Sequence, residues 1–119
     1  MSKVIVIGAS SRRWRTAYRA VKRLLDHGHE VYGIGARNEV VHGVKITTDK
    51  PVVVDVDTVT MYVRGELQAG YHDYILELKP RQLIFNPGSE NPELASLARE
   101  KGITVRESCM LIMLSAGDF

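Results

Sequence analysis

The sequence has few of the features that identify several large classes of protein. It contains one cysteine in 119 residues, which excludes an internal disulfide and suits a reducing cytoplasm. No apolar run approaches the ~20 residues that a membrane-spanning helix needs. The net charge is only +2, too small to predict nucleic-acid binding through bulk electrostatics. We therefore expect a cytoplasmic protein whose partners are neither membranes nor nucleic acids.

Motifs for nucleotide hydrolysis, metal binding and catalysis are also missing. Gly8 is followed by Ser10 and Arg13 at the two later glycine positions of the dinucleotide fingerprint G-x-G-x-x-G. There is no G-x-x-x-x-G-K-[ST] run, which argues against a P-loop nucleotidase. The histidines lack metal-ligand spacing, and Cys109 is explained most simply as a small buried apolar residue. We expect no metal ligands and no catalytic residues.

What remains is the composition of an ordinary globular domain. The chain is 45% hydrophobic and 25% charged, and its length predicts one domain over residues 1–119. Apolar residues alternate between the period of strands and the period of helices. Strands are predicted at 4–7, 30–34, 58–62, 82–85 and 103–106, with a candidate edge strand at 44–46. Helices are predicted at 17–25, 67–78 and 92–101, with a short closing helix at 110–114.

Strands that alternate with helices predict a sheet covered on both faces. The expected fold class is α/β, a three-layer α/β/α sandwich around a mostly parallel, doubly wound sheet of about five strands. In such sheets ligands bind outside the carboxyl ends of the strands, where the strand order reverses. The loops that follow predicted strands are therefore candidates to meet at one ligand: 8–13, 35–37, 62–64, 86–89 and the segment after residue 106.

The loop after the first predicted strand has the layout of a phosphate-binding corner. Free backbone N–H groups and the helix dipole favour an anion where a helix begins. Gly8 allows close approach of a phosphate, Ser10 can donate a hydrogen bond to it, and Arg12 and Arg13 add positive charge. The alternative is that Gly8 is only a turn residue. The corner predicts phosphate binding without specifying NAD or ATP.

The end of the second predicted strand favours a nucleotide that carries a ribose phosphate. NAD-binding sheets usually place an acidic residue here to hold a ribose hydroxyl. This chain has Gly35, Ala36 and Arg37 instead, with no carboxylate before Glu39. A planar guanidinium suits a phosphate monoester, so coenzyme A and NADP both fit. Alternatively, Arg37 is a solvated loop residue.

Three stretches resemble a known family. Residues 6–10, 18–32 and 86–93 are similar to the small stand-alone CoA-binding domain proteins of bacteria, which are single Rossmann-like domains related to the N-terminal domain of the succinyl-CoA synthetase α-subunit. The most specific part is Pro-Gly-x-x-Asn-x-Glu at 87–93, followed by Cys109. The resemblance spans nearly the whole chain. It implies that the CoA nucleotide is held by Gly8, Ala9, Ser10, Arg12, Arg37 and Tyr62.

The chain departs from this family at four places. Residues 11–13 replace a proline, Gly35-Ala36 replaces Asn-Pro, and 61–64 replaces Phe-Arg, so that Arg64 can supply the cation one residue later. Glu107-Ser108 replaces the usual Asp-Arg before the cysteine. Together with the resemblance, the strand-end loops predict a cofactor-binding set that consists of Gly8, Ala9, Ser10, Arg12, Arg13, Gly35, Arg37, Tyr62, Arg64, Asn86, Pro87 and Gly88.

The predicted function is a module that binds coenzyme A or an acyl-CoA without chemistry of its own. Two alternatives stay open: an NADP- or acyl-CoA-dependent enzyme, and an accessory subunit of a larger synthetase or acyltransferase. Trp14 and the apolar run 110–114 are candidate contacts for a homodimer or for a partner enzyme subunit. The phosphorylated histidine of succinyl-CoA synthetases lies in a domain that this chain lacks, so that activity is not predicted.

Overall fold

A computed structural model describes residues 2–119 and contains seven strands and four α-helices. The strands are β1 (Lys3–Ile7), β2 (Glu30–Ile34), β3 (Glu39–Val41), β4 (Val44–Thr47), β5 (Thr58–Met61), β6 (Gln82–Phe85) and β7 (Thr104–Glu107). The helices are α1 (Thr16–Asp26), α2 (His72–Leu78), α3 (Pro92–Glu100) and α4 (Met110–Ser115). All the strands form one sheet in the order β3-β4-β2-β1-β5-β6-β7.

The predicted fold class is confirmed: a mostly parallel sheet lies between two layers of helices. Every pairing in the sheet is parallel except β3 with β4. The central strands β1, β5 and β6 are buried along their length, apart from the half-buried Lys3, because helices cover both of their faces. One core holds buried side chains of α1 and α4, including Ala17, Leu24 and Met113. The core on the opposite face holds side chains of α2 and α3, including Ile75 and Leu94.

The sheet has more strands than the sequence pattern predicted. The candidate edge strand becomes β4, which pairs with β2 on one side and with β3 on the other, so the edge belongs to β3. A two-residue turn joins β3 to β4, and both of its residues, His42 and Gly43, have positive φ angles of 51° and 83°. Such a turn matches the twist of a tight hairpin. The sequence analysis did not predict β3, although a short apolar run followed by a turn with glycine in its second position is typical of such a hairpin.

The predicted helix over 67–78 is wrong in its first half. Residues Gly65–Leu67 and Ala69–Tyr71 form two short 3₁₀ turns, and α2 begins only at His72. The reason is the buried amide of Gln68, which donates hydrogen bonds of 2.6 Å to the carbonyl oxygens of Val63 and Ser89. These bonds anchor the chain to neighbouring loops and interrupt the helical path. Among residues 2–119, no helix is long and apolar enough to cross a membrane.

Candidate functional site

The carboxyl ends of the parallel strands meet at one edge of the sheet. The chain passes from β1 to β2 on one side and returns to β5 on the other, so the strand order reverses between β1 and β5. The loops after these two strands therefore flank a crevice of the kind that binds ligands in doubly wound sheets. The Tyr62 N–H donates to the carbonyl oxygen of Ile7 at 2.8 Å, which holds the two loops together. The loops that follow the parallel strands therefore lie along this one edge, as the strand pattern predicted.

Gly8 is required where the two loops approach each other. Its φ angle is +97°, and a Cβ atom added there would lie 3.1 Å from both Tyr62 Cβ and Val63 Cγ2. The N–H groups of Gly8 and Ala9 both donate to the carbonyl oxygen of Ile34, at 2.8 and 3.0 Å. These two amides thus join the loop to the end of β2 and do not face outward for an anion. The predicted anion site would therefore need donors further along the loop.

Gly35 permits a close approach between the end of β2 and the loop after β1. A methyl group at this buried position would lie 2.4 Å from the Ala9 carbonyl oxygen and 2.8 Å from Ile46 Cγ2. The glycine therefore lets the end of β2 pack directly against the loop after β1. Its place in the structure is that of a packing residue below the predicted site.

Helix α1 begins with backbone donors that no side chain caps, although the third of them, the Tyr18 N–H, donates to the Arg15 carbonyl oxygen at 3.1 Å. Its N-cap residue, Arg15, makes no capping hydrogen bond through its side chain, and the first turn holds no acidic residue. Helix α3 differs, because the Asn91 side chain accepts from the Leu94 N–H at 3.1 Å and Glu93 lies in the first turn. The free donors and dipole of α1 therefore favour an external anion. Arginines at 12, 13 and 15 are exposed beside this end.

The segment between Gly8 and α1 carries an exposed aromatic ring. The Trp14 side chain is 75% exposed, so it is not a core residue. The Arg12 guanidinium lies 5.9 Å from the centre of the Trp14 ring, within the range of a cation–π contact. The Arg12 N–H donates to Ser10 Oγ at 3.1 Å, so the Ser10 hydroxyl oxygen supports the turn of this segment.

A carboxylate links the predicted Arg37 to the same corner. Glu39 Oε2 accepts from the Ser11 N–H at 3.2 Å, and Oε1 accepts from the Ser11 hydroxyl at 2.7 Å. Arg37 Nη2 lies 3.8 Å from Oε1. The Ser11 hydroxyl is the main cause that lowers the pKa of Glu39. Neither Ser11 nor Glu39 belonged to the predicted set, since only folding brings these residues together.

Tyr62 contributes main chain to the crevice and its ring to the core. The ring packs against the core beneath α1 and α4, and its hydroxyl is buried without a hydrogen-bond partner. Burial raises the pKa of Tyr62 well above its ordinary value. In this structure the ring is therefore not available to stack on a base. Arg64, further along the loop, is exposed and lies 3.5 Å from Glu66.

Asn86 holds the far side of the edge together. Its Nδ2 donates to Thr60 Oγ1 at 2.7 Å and to the Met61 carbonyl oxygen at 3.0 Å, while its Oδ1 accepts from the Met110 N–H at 2.9 Å. The buried side chain thus joins β5, β6 and α4. Pro87 and Gly88 follow it at the surface.

Two other features lie outside the predicted cofactor-binding set. Cys109 is half-buried at the start of α4. A groove of about 700 Å³ lies between α2 and the extended segment 50–55. None of the predicted site residues lines it; its lining includes Val52, Val53, Val54, Tyr74 and Leu78. Within residues 2–119, no three His, Cys, Asp or Glu side chains are grouped so that they could hold a metal ion.

Comparison with known proteins identifies the family. A family model described as CoA binding domain matches residues 2–115. The chain belongs to the CoA-binding domain family. This confirms the family predicted from the sequence and supports CoA binding in general, whereas contact between the predicted residues and a ligand stays a prediction.

Relatives of this CoA-binding domain share its fold. It superposes on the crystal structure of an uncharacterised protein with a TM-score of 0.96 and 44% identity, covering 100% of this chain and 98% of the other. A hypothetical protein of Pyrococcus horikoshii OT3 gives a TM-score of 0.84 and 26% identity, over 93% of this chain and 80% of the other. The uncharacterised protein YneT of Bacillus subtilis is 28% identical over 104 residues, which are 87% of this chain and 77% of that protein.

Proposed function

We propose that this protein binds coenzyme A or an acyl-CoA at the crevice between the β1 and β5 loops, as a module that recognises the ligand without catalysing a reaction. The observation that carries the proposal is the start of α1. Its side chains leave the first-turn amides uncapped and surround them with exposed arginines. Bound CoA would supply a thiol that carries acyl groups as thioesters.

Two groups of exposed donors suit the phosphates of the ligand. The free amides of α1 suit the diphosphate, because they point along the helix axis toward an anion, and Arg12 and Arg13 lie beside them. Arg37 suits the 3′-phosphate of the ribose, because its side chain is 66% exposed and presents a planar set of donors. Gly8 lets the β1 and β5 loops approach each other closely beside this region.

The test is a thermal-shift and calorimetry panel with CoA, dephospho-CoA, acetyl-CoA, NAD and NADP. A ligand at 100 times its dissociation constant stabilises the folded state by about 2.7 kcal/mol, which is about 10 °C for a chain of this size. We expect stabilisation by CoA and acetyl-CoA, with weaker stabilisation by dephospho-CoA. No shift with any CoA compound would refute the proposal, and a shift with NADP alone would favour a reductase instead.

Two variants test which arginines contact the phosphates of the ligand. Arg37→Ala should bring the affinity for CoA down to that for dephospho-CoA, because the variant lacks the 3′-phosphate contact. Arg99→Ala, which removes an exposed arginine from the last turn of α3, is the matched control and should keep the difference. Arg12→Ala should weaken CoA and dephospho-CoA equally, since both carry the diphosphate.

A further inference from the structure

The Glu39 carboxylate lies in the corner after β1, against Ser11. It accepts hydrogen bonds from both the amide and the hydroxyl of Ser11, at 3.2 and 2.7 Å. The Ser11 amide is therefore the one donor of this loop that is already paired with an anion. A phosphate placed there would have to displace Glu39 or lie against it, and two like charges at one amide repel.

The same carboxylate retains capacity for a neutral donor. Each carboxylate oxygen has two lone pairs, and the bonds from Ser11 use one on each oxygen. The Glu39 side chain is 19% exposed, so part of it remains accessible. A hydroxyl group can donate to the free lone pairs without disturbing Ser11. The corner at Ser11 is thus closed to phosphate and suited to a sugar hydroxyl.

Arg37 places a phosphate-binding group beside this acceptor. Its Nη2 lies 3.8 Å from Glu39 Oε1, so an acceptor and a cation stand next to each other at the surface. In CoA the ribose carries one free hydroxyl, at the 2′ position, directly beside the 3′-phosphate. The neighbouring acceptor and cation match this neighbouring hydroxyl and phosphate.

On the basis of the proposed function, we propose that Glu39 is a specificity residue: it accepts a hydrogen bond from the free ribose hydroxyl and keeps phosphate away from the Ser11 amide. The ligand's orientation follows from this arrangement. The ribose lies against Glu39 and Arg37, and the diphosphate is directed to the start of α1.

The decisive comparison uses adenosine 3′,5′-bisphosphate and its 2′-deoxy analogue. A hydrogen bond to a charged acceptor implies that the wild-type protein binds the ribose form about tenfold or more tightly. Glu39→Ala should bind both forms with nearly equal affinity. Glu66→Ala is the matched control, because it removes another carboxylate that lies beside an arginine at the same edge. Equal wild-type affinities, or a preference that persists in Glu39→Ala, would overturn the proposal.

A second measurement separates this proposal from the proposed function. In ¹⁵N NMR spectra, pyrophosphate should shift the Ser11 amide signal in Glu39→Gln, which keeps the size of the side chain without its charge, and leave that signal in place in the wild type. If no CoA compound binds, the proposed function fails, and this experiment alone decides the role of Glu39. A wild-type Ser11 signal that responds to pyrophosphate as strongly as that of the variant would refute phosphate exclusion.

Discussion

Replacing Gly35 with alanine should destabilise the protein through one identifiable contact. The new methyl group would lie 2.4 Å from the carbonyl oxygen of Ala9, which is backbone and cannot rotate away, and 2.8 Å from Ile46 Cγ2. Overpacking of this kind typically costs about 1–3 kcal/mol, and the upper half of that range applies because the nearest atom belongs to the main chain. Alanine also lowers the conformational entropy of the unfolded chain, which offsets about 0.4–1 kcal/mol of this loss of stability.

The expected net loss is therefore about 1–2.5 kcal/mol. For this chain length 1 kcal/mol corresponds to about 4 °C in Tm, so Tm should fall by about 4–10 °C. Gly70→Ala is the control, because nothing lies within 4 Å of its added Cβ and its φ angle is not in the left-handed region. Both variants are measured by calorimetry and by urea unfolding. A Gly35→Ala protein as stable as Gly70→Ala would show that the close approach is not a constraint.

Three further changes test the edge and its support. Asn86→Ala leaves buried hydrogen-bonding groups unpaired and should lower the free energy of unfolding, measured by urea titration, by about 2–4 kcal/mol. The control is Asn38→Ala, which removes a hydrogen bond in an exposed loop and should lower that free energy by under about 1 kcal/mol. Tyr62→Phe removes an unpartnered buried hydroxyl and should raise Tm by up to about 4 °C; a lower Tm would contradict that assignment. Arg81 donates a hydrogen bond to Asp57 at 2.7 Å and lowers the pKa of that carboxyl below its ordinary value. The ionised pair therefore stabilises the fold at higher pH, and this contribution is lost as the pH falls through the pKa of Asp57 in the folded protein. Stability measured from pH 6 down to pH 2 should therefore fall less in Arg81→Gln, and an unchanged acid limb would contradict this.

Elements with a strong local signal were predictable from the sequence. The unbroken apolar run of β1 has few alternatives to a buried strand, and Asn91-Pro92 defines the start of α3 through a cap and a preset φ angle. The first half of the predicted helix at 67–78 failed because the side-chain bonds of Gln68 reach residues of other loops. Such tertiary bonds override local periodicity.

The candidate site was likewise predictable from the sequence only in part. Gly8 and Arg37 were chosen because a strand-ending glycine and a basic residue at a strand end have direct physical reasons to lie near an anion. The Gly8 N–H instead donates to the Ile34 carbonyl oxygen, and the role of Arg37 stays a prediction. The bond between Ser11 and Glu39 joins residues 28 positions apart, and it depends on a hairpin that the sequence pattern did not predict. Asn86 was predicted as a ligand contact from its loop, and in the structure both of its side-chain N–H donors and its carbonyl oxygen make hydrogen bonds that support the edge.

The exposed indole of Trp14 makes this corner optically distinct from the rest of the chain. It is the protein's single tryptophan, so selectively excited emission arises from one ring beside the start of α1. A ring that is 75% exposed emits as a hydrated indole, and the nearby Arg12 makes its surroundings sensitive to an arriving anion. We expect an anion that binds beside Arg12 to change this emission, so that occupancy of the corner can be followed without a label.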